Sequence, residues 1–246
     1  MAAAYRQQKL SRPMLRTALL AAALVGLSAT AVSAQDGGFS LPDGFGVEIG
    51  AGTDNRSKNA SKTNGDAYAY GVVDYVPGGS DLYVSGSVEG VDSNGADWES
   101  KLLVGWAPQF AGFDFDINAA HKWLIDPVPG TDNGAWEFTA NMSRSIGPAS
   151  ARLQYQYSPD SNGSTESFSW VEARVGWAFT PRLEGTAAVG RREQRNSVDY
   201  TGWNVGATYA LTQNLDLDVR YYDTDVDLPA DNTYDDTVVA EISLAF

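Results

Sequence analysis

The chain has 246 residues, with 17 Lys and Arg against 31 Asp and Glu, a net charge of −14 and no cysteine. That charge argues against a nucleic-acid partner, whose phosphates require cationic neutralisation, and the missing cysteine excludes disulfides and thiolate metal sites. Beyond the N-terminal segment no apolar run is long enough for a spanning helix, so any membrane passage must be through a closed barrel, whose backbone groups are all paired in lipid.

The first element in chain order is a targeting segment. Arg6, Lys9, Arg12 and Arg16 form a basic region, residues 17–34 are apolar and Ala-rich, and Val32-Ser33-Ala34 offers small residues for cleavage before Gln35. Residues 1–34 are expected to be a removed signal peptide and residues 35–246 an exported domain in the outer membrane of a Gram-negative bacterium. The other reading of residues 17–34, an anchor helix, is near the lower limit for a span.

Twelve strand-like segments follow, at roughly 45–54, 66–76, 81–91, 97–107, 113–125, 135–145, 149–159, 166–179, 182–193, 199–211, 214–223 and 235–246. Each has about the ten residues of a tilted transmembrane strand. Apolar and polar residues alternate within them. Leu215, Leu217, Val219 and Tyr221 oppose Asp216, Asp218 and Arg220, and Val171, Ala173, Val175, Trp177 and Phe179 oppose Glu172 and Arg174. Such period-2 alternation fits a strand with one face in lipid and one in water. The second segment leaves two registers open, with either Tyr68, Tyr70 and Val72 or Ala67, Val73 and Tyr75 toward lipid.

The connections alternate between tight turns, such as Pro77 to Ser80 and Ile146-Gly147-Pro148, and mostly longer polar loops, such as Asn55 to Gly65 and Thr224 to Tyr234. This is the pattern of an all-β, antiparallel up-and-down transmembrane barrel of about twelve strands, short turns periplasmic. Asn59, Asn94, Asp132 and Asn162 are then expected outside the cell, and Gly79 and Gln213 in the periplasm. Aromatics flank both ends. Trp98, Trp123, Trp136, Trp170 and Trp203 lie near the longer loops, and Tyr75, Trp106, Phe113, Trp177, Phe179, Tyr209 and Phe246 near the tight turns, as two interfacial girdles.

The chain closes on Val238, Ala240, Ile242, Leu244 and Phe246 alternating with polar or small residues. A terminal aromatic of this kind resembles the signal read by the barrel assembly machinery. Over the whole mature chain the layout resembles the TorF-family putative porins. The resemblance rests on the late stretch Arg220 to Asp225 and on Thr53-Asp54-Asn55-Arg56-Ser57 after the first strand, where Ser57 replaces an expected aromatic. It implies a porin without a defined substrate.

Alternation assigns a charged inner face. Its acidic members are Glu48, Glu89, Glu99, Asp114, Asp116, Glu137, Glu172, Glu184, Asp216, Asp218 and Glu241, and its basic members are Lys101, Lys122, Arg152, Arg174, Arg192 and Arg220. Eleven carboxylates against six cations predict a narrow passive channel for small cationic or neutral solutes. Twelve strands lie between the eight that side chains can fill and the sixteen of aqueous pores, so a non-conducting barrel that displays surface loops is the alternative. Expected partners are outer-membrane lipid and lipopolysaccharide, with Arg56, Lys58, Lys62, Arg191 and Arg195 either touching lipid phosphates or simply solvated.

No cofactor or metal site is expected, and no catalytic residue. His121 and Ser100 share the lipid-facing side without an orienting acid. The aspartates at 223, 225 and 227 lack the Gly and Glu an EF-hand needs at Leu228 and Tyr234, so a solvated acidic loop is expected, with loose divalent binding at the lipopolysaccharide surface as the alternative.

Overall fold

The computed structural model describes residues 41–162, 165–228 and 231–246; the expected signal segment lies outside them. Twelve long strands form the wall. They are β1 (Phe45–Gly52), β2 (Tyr68–Tyr75), β3 (Leu82–Ser93), β4 (Ala96–Trp106), β5 (Phe113–Ile125), β6 (Gly134–Ile146), β7 (Ala149–Ser161), β8 (Glu166–Thr180), β9 (Leu183–Gln194), β10 (Tyr200–Ala210), β11 (Leu215–Thr224) and β12 (Thr237–Ala245). Each pairs antiparallel with the next. β1 closes the ring on β12, with Glu48 opposite Ala245 and Gly52 opposite Glu241, and the Phe246 amide donates to the Val47 carbonyl. The sheet therefore keeps no long unpaired edge. Two short pieces complete it. Gln109–Phe110 folds back on β5, and a two-residue-by-two-residue hairpin, Arg56–Ser57 with Ala60–Ser61, stands between β1 and β2.

Period 2 sends apolar side chains outward on every strand. Leu102, Val175, Phe179 and Val238 are each about 60% exposed or more. In water each would forfeit roughly 1.5–3 kcal/mol of burial. In a bilayer the same groups contact acyl chains, so this wall requires lipid. Trp98, Trp136 and Trp203 lie outward at the long-loop end, with Trp106, Trp177, Phe179 and Tyr209 outward at the other. Trp170 departs from the expected girdle. It shares the parity of Glu172 on β8, so its indole points inward and is buried.

The register left open in β2 is resolved with Val73 and Tyr75 outward and Tyr68 and Tyr70 inward. Glycines on β1 make room for the two rings. A Cβ at Gly50 would stand 2.5 Å from the Tyr70 ring, and one at Gly52 2.7 Å from that of Tyr68.

Candidate pore and its inner hairpin

The first long connection does not extend away from the barrel. It turns into the bore, and the expectation of an exterior Asn59 is overturned. Lys58 and Asn59 both adopt left-handed backbone, with φ of 55° and 67°. Two successive positive φ values form the tight hairpin turn whose twist matches paired strands. Asn59 is fully buried and accepts from Asn204 Nδ2 on β10. The tip can lie there because residue 202 is glycine; a Cβ at that position would come 2.7 Å from the Asn59 Cβ.

Charge and hydrogen bonding hold the hairpin to opposite walls. The Asp54 carboxylate accepts from the Ser61 and Thr63 hydroxyls and pairs with Arg56, whose Nη1 also donates to the Asp235 carbonyl at 2.9 Å. Asn55 Nδ2 donates to the Gly90 carbonyl of β3, and the Tyr200 hydroxyl of β10 donates to the Lys58 carbonyl. Lys62 pairs with Glu89 on β3 and, at 2.8 Å, with Glu99 on β4. Lys58 lies 3.7 Å from Glu137 on β6 and over the Phe168 ring. Ala60 of the hairpin packs with Trp170, Tyr200 and Tyr234 in an apolar cluster. Arg56, Lys58 and Lys62 are thus neither solvated nor at lipid phosphates. A buried ion costs several kcal/mol unless paired; Arg56 pairs with Asp54, and Lys58 and Lys62 partner inward carboxylates of the wall.

The two lysines differ in how well they are compensated. Burial lowers Lys62, but Glu89 and Glu99 together outweigh it, and the group lies above its ordinary value. Burial dominates at Lys58, where Glu137 opposes it and Arg192 adds to it, and the ammonium is pushed down to about 7.

The residues assigned to the inner face divide into groups by what they meet. Glu99, Lys122, Glu137 and Arg192 face the hairpin region. Lys122 bridges Glu99 and Glu137 at 3.5 and 3.2 Å, and Arg192 covers the Phe168 ring. Asp116 is tied into the wall by the Tyr83 hydroxyl at 2.8 Å and by Asn141. Asp114 accepts from Gln109 at the tight-turn rim. Glu172 is buried and holds Arg152 at 2.6 Å and Arg174 at 3.2 Å on one oxygen.

Below the hairpin, on the tight-turn side, lies a cavity of about 280 Å³. Glu48, Glu89, Lys101, Arg152 and Arg174 line it, together with Glu184, Asp216, Asp218, Arg220 and Glu241. Arg220 pairs with Asp218 at 2.9 Å and donates to Thr186 and Asn204. Tyr70 bonds Glu48 at 2.8 Å and Glu241 at 3.1 Å, and the Tyr68 hydroxyl also donates to Glu241. Alternation alone does not select Tyr68, Tyr70, Asp54 or Asn55. The signal for the tyrosines is the glycine pair opposite them; for the hairpin it is three cations clustered in an acidic chain.

His121 lies on the outer face between Trp123 and Trp136, with ring centroids 5.9 and 4.9 Å away. Among the described residues no hydrogen bond joins it to Ser100. Loop aspartates accept backbone amides. Asp225 accepts from the Thr201 amide and Asp231 from that of Thr233. No His, Cys, Asp or Glu cluster able to hold a metal occurs among the described residues.

A family model described as a bacterial protein of unknown function (Gcw_chp) matches residues 37–246. The chain belongs to that family. No curated protein matches it. Among solved structures it is similar to the KdgM porin, with a TM-score of 0.56 at 7% identity over 82% of this chain and 99% of that one. It is likewise similar to the NanC porin, with 0.56 at 9% identity over 81% and 98%. A KdgM porin in complex with disordered oligogalacturonate gives 0.55 at 8% identity over 82% and 99%. At such identities the likeness is one of fold, and the fold is that of a porin-like barrel.

Proposed function

We propose that this Gcw_chp protein is a narrow passive channel of a Gram-negative outer membrane, admitting small cationic or neutral solutes. The carrying observation is a closed barrel, apolar outside, around a cavity lined by charged side chains from many strands. The KdgM porin that holds oligogalacturonate supports a solute path through a barrel of this shape. Removal of residues 1–34 and assembly signalled by Phe246 belong to the same reading, as does the TorF-like layout. So do contacts of the exposed wall with lipid and of the loops with lipopolysaccharide.

Selectivity should be weak. The inner face carries more carboxylates than cations, but the hairpin adds Arg56, Lys58 and Lys62 against Asp54. Single-channel recording of the refolded mature chain tests the reading. A cation-selective reversal potential is expected, shifted toward zero in D216N/D218N and less affected near 1 M salt, where screening acts over about 3 Å. Anion selectivity in the parent, or indifference to the substitutions, would remove these carboxylates from the path.

A second reading is a non-conducting barrel that displays its loops. The hairpin in the bore and the cluster it forms with Trp170, Tyr200 and Tyr234 favour it. Folded protein that inserts and stays silent in the bilayer would select it.

A further inference from the structure

Two tyrosines of β2 lie flat on the neighbouring strand. Tyr68 and Tyr70 lean across β1, where the inward positions paired with them are Gly52 and Gly50. A Cβ on Gly50 would stand 2.5, 2.6 and 2.7 Å from Cε1, Cζ and Oη of Tyr70. A point nearly equidistant from three consecutive atoms at that range lies off the ring plane, so the Tyr70 ring rests one face on the strand. The Tyr68 ring is within 20° of parallel to it, with centroids 5.9 Å apart. The two rings form a continuous floor, and their second faces turn toward the bore.

Packing over glycine is not by itself a binding feature. Tyr83 covers Gly105 and Trp170 covers Gly190 in the same wall. Those two rings are closed in, 5% and 1% exposed, one tied to Asp116 and the other inside the cluster with Tyr200 and Tyr234. Tyr68 and Tyr70 cover the glycines of β1 yet remain partly exposed and line the cavity of about 280 Å³. Their hydroxyl edge is anchored as well. Tyr68 donates to Glu241 on β12, and the Tyr70 hydroxyl is shared between Glu241 and Glu48. Neither ring can swing into the bore without breaking a charge-assisted bond. Ser243 of β12 and Ser87 of β3 continue the polar border of the floor.

A flat apolar floor bordered by hydrogen-bond acceptors has a particular complement. A pyranose ring carries C–H bonds on its faces and hydroxyls around its rim. It lays one face on the aromatic floor and donates rim hydroxyls to the Glu241 carboxylate, whose oxygens each accept more than one bond. Two near-parallel rings do not converge into a cage, the arrangement that surrounds a quaternary ammonium. A carboxylate at the border disfavours an anionic sugar. The cavity is near the smaller end of ligand sites, roughly 300 Å³. We propose that Tyr68 and Tyr70 form a stacking subsite for a neutral pyranose sugar on the tight-turn side of the bore. The subsite rests on the channel reading above and gives the path a solute class.

Binding and passage are measured separately. Saturation-transfer NMR on the full mature chain, refolded in a detergent without sugar head groups, uses methyl α-glucoside as the pyranose and sorbitol as an open-chain polyol with no ring face. Transfer is expected to the C–H protons of one glucoside face and should be roughly threefold weaker for sorbitol. Y68L/Y70L should raise the glucoside dissociation constant roughly tenfold, while Y68F/Y70F, which keeps the ring faces and loses their tether, should raise it only about threefold. Heat-modifiable mobility on gels confirms that each variant is a closed barrel before binding is compared. Swelling of proteoliposomes in the glucoside reads passage. Equal transfer to glucoside and sorbitol, transfer that survives Y68L/Y70L, or displacement of the glucoside by tetramethylammonium at lower concentration than by glucose would overturn the subsite, whether or not the liposomes swell. Face-specific transfer lost in Y68L/Y70L, together with liposomes that do not swell, would uphold the subsite and overturn the channel.

Discussion

The long-loop and tight-turn halves of this barrel use the same residue types to opposite effect. In the long-loop half Glu89, Glu99 and Glu137 meet Lys58, Lys62 and Lys122, and opposite charges come together across a hairpin that fills the bore. In the tight-turn half the ion pairs run along the wall, Glu172 with Arg152 and Arg174 and Asp218 with Arg220, and a cavity is left in the bore. Both sets obey one rule, inward at every second position. The difference lies in whether the chain supplies a counter-charge from the middle. A loop that brings three cations inward turns a charged lining into a plug; without it the lining remains a chamber.

The largest effect should come from removing the difference. Replacing residues 56–62 with a two-residue Asn-Gly turn leaves β1 and β2 joined and takes the plug away. Single-channel conductance should rise severalfold, since the long-loop half would then be bounded by the wall alone. Loss of Arg56, Lys58 and Lys62 should add cation selectivity, since Glu89 loses its Lys62 partner and Glu99 and Glu137 keep only Lys122. Conductance equal to the parent's would show that the hairpin is not the constriction.

A gentler change tests the docking itself. G202V places a side chain where the Asn59 Cβ already comes within 2.7 Å of the position a Cβ would take. The tip must then leave the wall and lose its bonds to Asn204 and Tyr200. A cysteine at position 59 should resist thiol labelling in intact cells in the parent background and be labelled when combined with G202V. Conductance should rise, but less than on deletion, because the ion pairs of Lys62 remain. Rapid labelling of N59C in the parent would mean that the loop lies outside after all.

What the sequence makes legible follows from where lipid enforces a pattern. Every strand must show apolar groups to acyl chains at every second position, so the twelve segments, and the inward direction of Glu172 or Asp216, can be read from alternation. Where both faces of a strand are apolar or aromatic, as at Tyr68, Tyr70, Val73 and Tyr75, lipid imposes no distinction. The register there depends on Gly50 and Gly52 across the strand pair. Nearness to a loop places Trp170 in the girdle, whereas its parity with Glu172 turns it inward, and parity is the stronger constraint. The hairpin is hidden for a local reason. Left-handed turns of this kind usually announce themselves with Asn-Gly or Asp-Gly, and here Lys58-Asn59 takes that conformation because burial against β10 holds it. Alternation reports where a side chain points, not which other segment comes to meet it, so the plug and the chamber look alike in the sequence.

The smallest expected effect sharpens the comparison within the plug. Lys62 has two carboxylates and Lys58 one, and only Lys58 is pushed down, from 10.5 to about 7. With the hairpin docked, Lys58 holds fewer protons between those limits than it does when released to solvent. Docking should therefore strengthen as pH rises from about 7 toward 10.5, while below about 7 the charged group opposes docking in full and its effect no longer changes with pH. Lys62 has the opposite sign, since its raised value favours docking throughout that window and loses its effect only at higher pH. Between them the slope in the window belongs to Lys58. In bilayer recordings the share of time spent in a wide, hairpin-displaced state should fall as pH is raised from about 7.5 to 9.5. K58M, which keeps the length of the side chain and removes its titration, should flatten that dependence and favour the narrow state at both pH values. A slope that survives K58M unchanged would assign it to another group, and a slope of the opposite sign would mean that Lys58 is docked as a fully charged partner of Glu137.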